Sequence, residues 1–151
     1  MKKTAICFIL IWASILSHCT KQPAFDETSI RKDILAVMDA QVKGWNAASV
    51  EGYMGGYVKS DSLRFVSGGT ANYGWHRILE RFKKRYPDAE TMGILSFTDI
   101  SVTVLSDDAA VVFGRYTQER KNDRLTGLFT LLFRRTDNGW RIVHDHTSSE
   151  S

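Results

Sequence analysis

The residues of this chain best suited to chemistry lie close to its end, in the run Trp140-Arg141-Ile142-Val143-His144-Asp145-His146-Thr147. If the run is a strand, every second side chain shares a face. Val143, Asp145 and Thr147 then fall on one side, and Trp140, Ile142, His144 and His146 on the other. Alternate histidines on one face stand about 6.5–7 Å apart at the backbone, a gap that one metal ion can bridge. A metal needs a third or fourth ligand, and no Cys/His/Asp partner motif supplies it, so neither a metal nor another cofactor is expected. A second group is aromatic: Trp45, Tyr53, Tyr57, Tyr73 and Trp75. Core packing accounts for such a group, but buried Tyr and Trp need partners for their OH and NH, which leaves polar tips available to a ligand. The basic run Arg81, Lys83, Lys84 and Arg85 reads as a solvated helix face, with contact to anionic lipid as the alternative.

Cys19 carries a different chemistry. Lys2 and Lys3 precede an apolar run from Thr4 to Leu16, which is shorter than the roughly 20 residues needed to span a bilayer. Leu16-Ser17-His18-Cys19 then resembles the lipobox of bacterial lipoproteins, with His18 where that pattern has a small residue. Residues 1–18 are therefore expected to be a signal peptide, Cys19 the lipidated mature N-terminus, and residues 19–28 a tether. The implied location is the cell envelope, anchored to a membrane through the lipid. The other cysteine, Cys7, lies inside the signal, so the exported domain has no disulfide to form.

The remaining chain suits one domain. It carries 43% hydrophobic and 25% charged residues, ordinary globular values. The net charge of +3 becomes 18 basic against 17 acidic residues once Lys2 and Lys3 are removed, too even a balance to argue for nucleic acid. Ile30, Ile34, Val37, Met38, Gln41, Val42 and Trp45 mark one face of a helix from Ile30 to Asn46, started by Thr28 or Ser29. Ser49 starts a second helix of about two turns carrying Tyr53 and Tyr57. A short strand at Ser62–Val66 and a Ser67-Gly68-Gly69 turn lead to a third helix, Trp75–Tyr86, stopped by Pro87. Four long strands follow from Ile94, joined by tight turns such as Asp137-Asn138-Gly139. Helices first and a meander last indicate an α+β fold.

That order, with Asp107-Asp108-Ala109-Ala110-Val111-Val112, Gly114-Arg115 and Gly139-Trp140-Arg141-Ile142-Val143-His144-Asp145-His146, resembles the SnoaL-like domains of the nuclear transport factor 2-like superfamily. It is also similar to the association domain of calcium/calmodulin-dependent kinase. The resemblance covers residues 29–149. It implies a cone in which a strongly bent antiparallel sheet wraps a long N-terminal helix with two shorter helices, as in cystatin-like folds. It implies too a pocket at one end and a homodimer through the outer sheet face, here Tyr116, Leu128, Thr130, Leu132, Ile142 and His144.

Carried over residue by residue, the resemblance puts Asp145, Thr147, Arg115, Phe113, Thr117, Phe129, Leu131 and Phe133 inside the cone and His144 and His146 outside. The expected ligand-binding set is Trp45, Tyr53, Tyr57, Tyr73, Arg115, Phe129, Leu131, Asp145 and Thr147. The arginines of the association domain are replaced by Leu131 and Thr147, so its basic pocket does not transfer. Asp145 then has three roles open to it. It is a general acid/base if an apolar pocket raises its pKa, as for aspartates of ketosteroid isomerase. It is a polar contact for a small-molecule ligand, or it is the partner of Arg115 in an ion pair. The superfamily accordingly leaves open a ligand-binding lipoprotein, an isomerase- or cyclase-type enzyme, and a non-catalytic dimerisation module.

Overall fold

The structure, a computed structural model, describes residues 25–150. The signal segment and Cys19 lie outside the described residues. Helix α1 spans Glu27–Asn46 and α2 Val50–Met54; a hairpin of β1 (Arg64–Ser67) and β2 (Thr70–Tyr73) follows, then α3 (Trp75–Arg85) and α4 (Ala89–Met92). Four long strands complete the domain: β3 (Ile94–Val104), β4 (Ala109–Glu119), β5 (Arg124–Thr136) and β6 (Gly139–Ser149). Strand order across the single sheet is β2-β1-β6-β5-β4-β3. Every pairing is antiparallel except β1 with β6. The α+β architecture is therefore as expected: a bent, unclosed sheet with helices on its concave side.

Helix α1 begins earlier than the apolar period alone suggests, because Asp26 rather than Thr28 or Ser29 caps it: its carboxylate accepts from the Ser29 amide at 3.0 Å. Ile30, Ile34, Met38, Gln41 and Trp45 are the buried stripe. Two side chains at the end of α1 tie it to the sheet. The Asn46 amide donates to the Leu95 carbonyl at 3.1 Å and accepts from the Leu95 amide at 2.8 Å. The Trp45 indole donates to the Met92 carbonyl at 2.9 Å. Where α1 passes α2, a Cβ on Gly44 would lie 2.5 Å from the Gly52 carbonyl carbon, so the backbones touch there and only glycine fits.

Three features depart from the sequence reading. Thr70–Tyr73 is a second strand of a hairpin rather than a lead-in to α3. Helix α4 is an additional turn, closed by a capping box in which Asp88 accepts from the Thr91 amide at 2.8 Å and Thr91 reaches back to the Asp88 amide. Tyr57 lies beyond the end of α2, where it forms a parallel bridge to Ile142 on β6.

Two β-bulges bend the sheet. In β3 the pairing with β4 slips between Thr98 and Ser101, with Asp99 at φ +53°. In β6, Ile142 pairs with Phe133 and His144 with Leu132, leaving Val143 as the extra residue. The second bulge overturns the face assignment made by alternation. Ile142 and Trp140 are buried in the core, on the same side as Asp145 and Thr147, instead of sharing the outer side with His144 and His146. A strand with one residue too many changes face without changing its hydrogen-bonding partner strand.

Candidate functional site

The concave face encloses a cavity of about 320 Å³. Its lining changes with depth. Gln41, Trp45, Tyr57, Leu131 and Asp145 are buried at the floor, whereas Gly68, Thr70, Arg81, Arg85 and Ser149 are exposed at the mouth. Between them runs an aromatic belt of Tyr53, Phe65, Phe82, Tyr86, Phe97 and Tyr116. The rings hold one another mainly edge to face: Trp45 stands over Tyr53 at 5.0 Å and over Tyr86 at 4.8 Å, and Phe65 over Phe82 at 5.4 Å.

Asp145 is the chemically distinctive residue of the floor. It is 2% exposed, and among the described residues no cation pairs with it. The Tyr57 hydroxyl donates to its Oδ2 at 2.7 Å, and the Tyr53 and Tyr57 hydroxyls are 3.0 Å apart. Burial pushes the Asp145 carboxyl up to about 7, against a smaller lowering by the Tyr57 bond. Burial and the nearby Asp145 charge hold both tyrosines well above the ordinary phenol range, so they stay protonated as donors. Two buried oxygens have no hydrogen-bond partner among the described residues, Asp145 Oδ1 and Gln41 Oε1. Both residues line the cavity. The Gln41 amide nitrogen is occupied, donating to the Tyr53 carbonyl at 3.1 Å. A protonated Asp145 can donate through Oδ1, and Gln41 can only accept there. The floor thus sets two unpartnered oxygens beside the Tyr53 and Tyr57 hydroxyls at the end of an aromatic cavity, and a buried polar atom is stabilised when it gains a partner.

Of the expected ligand-binding residues, Trp45, Tyr53, Tyr57, Phe129, Leu131, Asp145 and Thr147 line this cavity. Tyr73 and Arg115 do not. Tyr73, at the end of the exposed β2, is 51% exposed. Arg115 lies on the outer face of β4, between Asp99, 3.6 Å from its Nε, and Glu150, which its Nη1 contacts. The buried Arg115–Asp145 pair is therefore absent, and Phe113 and Thr117 share the outer side with Arg115. Val111, Val112 and Phe113 are apolar on both faces of β4, so alternation could not say which face turns inward. The structure turns Ala110, Val112, Gly114, Tyr116 and Gln118 inward, opposite Phe133, Leu131, Phe129, Gly127 and Leu125 of β5. Tyr116 accordingly leaves the expected outer set, as does the fully buried Ile142.

His144 and His146 do lie on the outer side, their rings 6.5 Å apart. Arg64 donates to His144 Nδ1 at 2.8 Å. That bond occupies the lone pair a metal would use, and burial together with the guanidinium holds the imidazole below its ordinary pKa. No group of three potential metal ligands exists among the described residues.

The sequence reading missed the contribution of α3. Ile78, Arg81, Phe82 and Arg85 form one stripe at helical spacing, and all four line the cavity. The i, i+3 relation of Arg81 to the apolar Ile78, and of Arg85 to Phe82, was the available signal.

A family model for the SnoaL-like domain matches residues 34–150. Among solved structures, an NTF-2 like protein of unknown function from Shewanella oneidensis is 39% identical, with 79% of this chain and 98% of that one covered and a TM-score of 0.76. A nuclear transport factor 2-like superfamily protein from Salmonella enterica is 21% identical over 83% of this chain and 94% of its own, with a TM-score of 0.67. A ketosteroid isomerase-like protein from Erwinia carotovora is 20% identical over 80% and 95%, with a TM-score of 0.63. These last two likenesses show the fold alone. No curated protein matches the sequence.

Proposed function

This chain belongs to the SnoaL-like family of the nuclear transport factor 2-like superfamily, and from that premise we propose that it binds a small, partly apolar molecule inside the cone. The observation that carries this reading is the pair of unpartnered oxygens, Gln41 Oε1 and Asp145 Oδ1, at the floor of an aromatic cavity. Buried polar atoms in native folds are usually satisfied by protein, water or ligand, and these two lie on residues that line the cavity. The cavity volume also falls at the lower end of the roughly 300–1,000 Å³ range of small-ligand pockets. Native mass spectrometry of the purified protein tests the reading. A retained or captured small molecule, lost when Leu131→Trp fills the cavity, is the expected result. A wild type and a filled variant that bind the same compounds equally would end it.

A second reading, proton transfer by Asp145, is favoured by one specific observation. Its carboxyl exchanges its proton near neutral pH while Tyr57 holds it in place. Asp145→Asn would then abolish turnover of a bound compound and leave its affinity within a few-fold.

The proposal extends to the cellular setting. We place the domain in the cell envelope, held by a lipid on Cys19, and we propose that it forms a homodimer across the outer sheet face. Support for the lipid is the apolar leader ending at Cys19. Support for the dimer is Phe113, 45% exposed, beside the half-covered Leu128 and Leu132.

A further inference from the structure

The charged residues that line the cavity are Arg81, Arg85 and Asp145. They are separated by depth, with both arginines exposed at the mouth and the aspartate buried at the floor. Among the described residues neither arginine has a carboxylate partner, although Lys83, on the same helix, is held by Glu51 at 2.8 Å. Arg85 instead lies against Tyr86, its guanidinium 5.6 Å from the ring centre and its Nε 3.2 Å from the hydroxyl. That contact tethers the guanidinium to a ring of the aromatic belt. The apolar width between mouth and floor is made by ring faces and edges, which suit a flat ring better than a flexible chain.

We propose that the ligand is a small ring-bearing anion that enters ring-first, its anionic group held at the mouth by Arg81 and Arg85 and a hydroxyl at its far end meeting Gln41 and Asp145. This rests on the small-molecule reading above and adds the ligand's polarity and direction. Guanidinium groups recognise a carboxylate through charge-assisted, often bidentate bonds. The far hydroxyl satisfies the floor, donating to Gln41 Oε1 and accepting from Asp145 Oδ1. A neutral ring compound loses the first contact, and an anion without the hydroxyl leaves the floor oxygens unsatisfied.

Calorimetric titration with three probes tests this: 6-hydroxy-2-naphthoate, 2-naphthoate and 2-naphthol. The hydroxynaphthoate is expected to bind about tenfold more tightly than 2-naphthol, and the advantage should shrink as salt is raised. Replacing both Arg81 and Arg85 with Gln should erase the advantage of hydroxynaphthoate over 2-naphthol. Gln41→Met should erase the advantage of hydroxynaphthoate over naphthoate, with thermal unfolding recorded to confirm that the variant is folded. If 2-naphthol binds as tightly as hydroxynaphthoate, or the arginine variant retains the difference, the anion inference is overturned and the binding reading stands. If none of the three binds, the small-molecule reading falls and this inference with it.

Discussion

Asp145 combines three conditions rarely met together in a carboxyl group: near-complete burial, no cation, and one hydrogen bond to one oxygen. The cost of ionising it inside the fold has a measurable consequence. Its pKa is raised from an ordinary 3.8 to about 7, so between those values the native state holds a proton that the unfolded state has released. Stability therefore falls as pH rises through that window and levels off above it. Between pH 5 and pH 8 the wild type should lose roughly 2–3 kcal/mol that Asp145→Asn retains. Asparagine keeps an acceptor for Tyr57 and a donor toward the cavity. Urea unfolding of both proteins at the two pH values measures the difference; parallel pH profiles would show that the carboxyl is hydrated or paired. The opposing titration of His144, whose pKa is lowered, cancels in the comparison because both proteins carry it.

At the scale of elements, the close passage of α1 over α2 joins the floor of the cavity to its aromatic belt, since Gln41 and Trp45 of the floor stand on one and Tyr53 of the belt on the other. Gly44→Ala would drive a methyl group into the Gly52 backbone at 2.5 Å. The helices must then separate, at a cost of about 1–3 kcal/mol, readable in a chemical denaturation midpoint. Elements with a strong period were legible in the sequence: α1 from its apolar stripe, β5 and β6 from the Asp137-Asn138-Gly139 turn, α3 from its boundaries at Gly74 and Pro87. The orientation of the strands was less so. Val111 to Phe113 present apolar side chains to both faces, and Val143 is a bulge that nothing in its own identity marks, because the extra residue is defined by the pairing with Leu132 and Phe133. The floor of the site was thus readable from residue types, through Asp145, Tyr57 and Trp45. Its rim was marked only by the helical spacing of Arg81 and Arg85, which acquire their place when α3 packs against α2 and β2.

For the molecule as a whole, the proposed dimer rests on the outer sheet face and the proposed anchor on Cys19. Phe113, Leu128 and Leu132 lie on one side of β4 and β5, where the pairs Phe113–Thr130 and Val111–Leu132 are neighbours. A dimer across this face predicts that Leu132→Asp yields monomers in sedimentation velocity, whereas a wild type already monomeric at micromolar concentration would refute the dimer. The lipid anchor predicts that Cys19→Ser releases the protein from membranes or leaves it unprocessed. Recovery of that variant in the membrane fraction at the processed size would refute the anchor. No helix of the described residues is long and apolar enough to cross a membrane, so the domain itself offers no helical span to replace it.

The bulge at Val143 separates two properties of the cone that would otherwise change together. Ile142 before it and Asp145 after it both face inward. Removing Val143 would therefore restore regular pairing without exchanging a single lining residue. What would change is curvature, since the extra residue accentuates the bend of β6. Width and chemistry of the cavity are then independent variables in this fold. On the binding reading proposed above, substitution at Asp145, Leu131 or Gln41 would retune what the interior recognises, while insertion or loss of one residue in β6 would retune how large a guest it admits. On that reading, a change of length at this single position would alter the admitted guest and leave the recognising groups as they are.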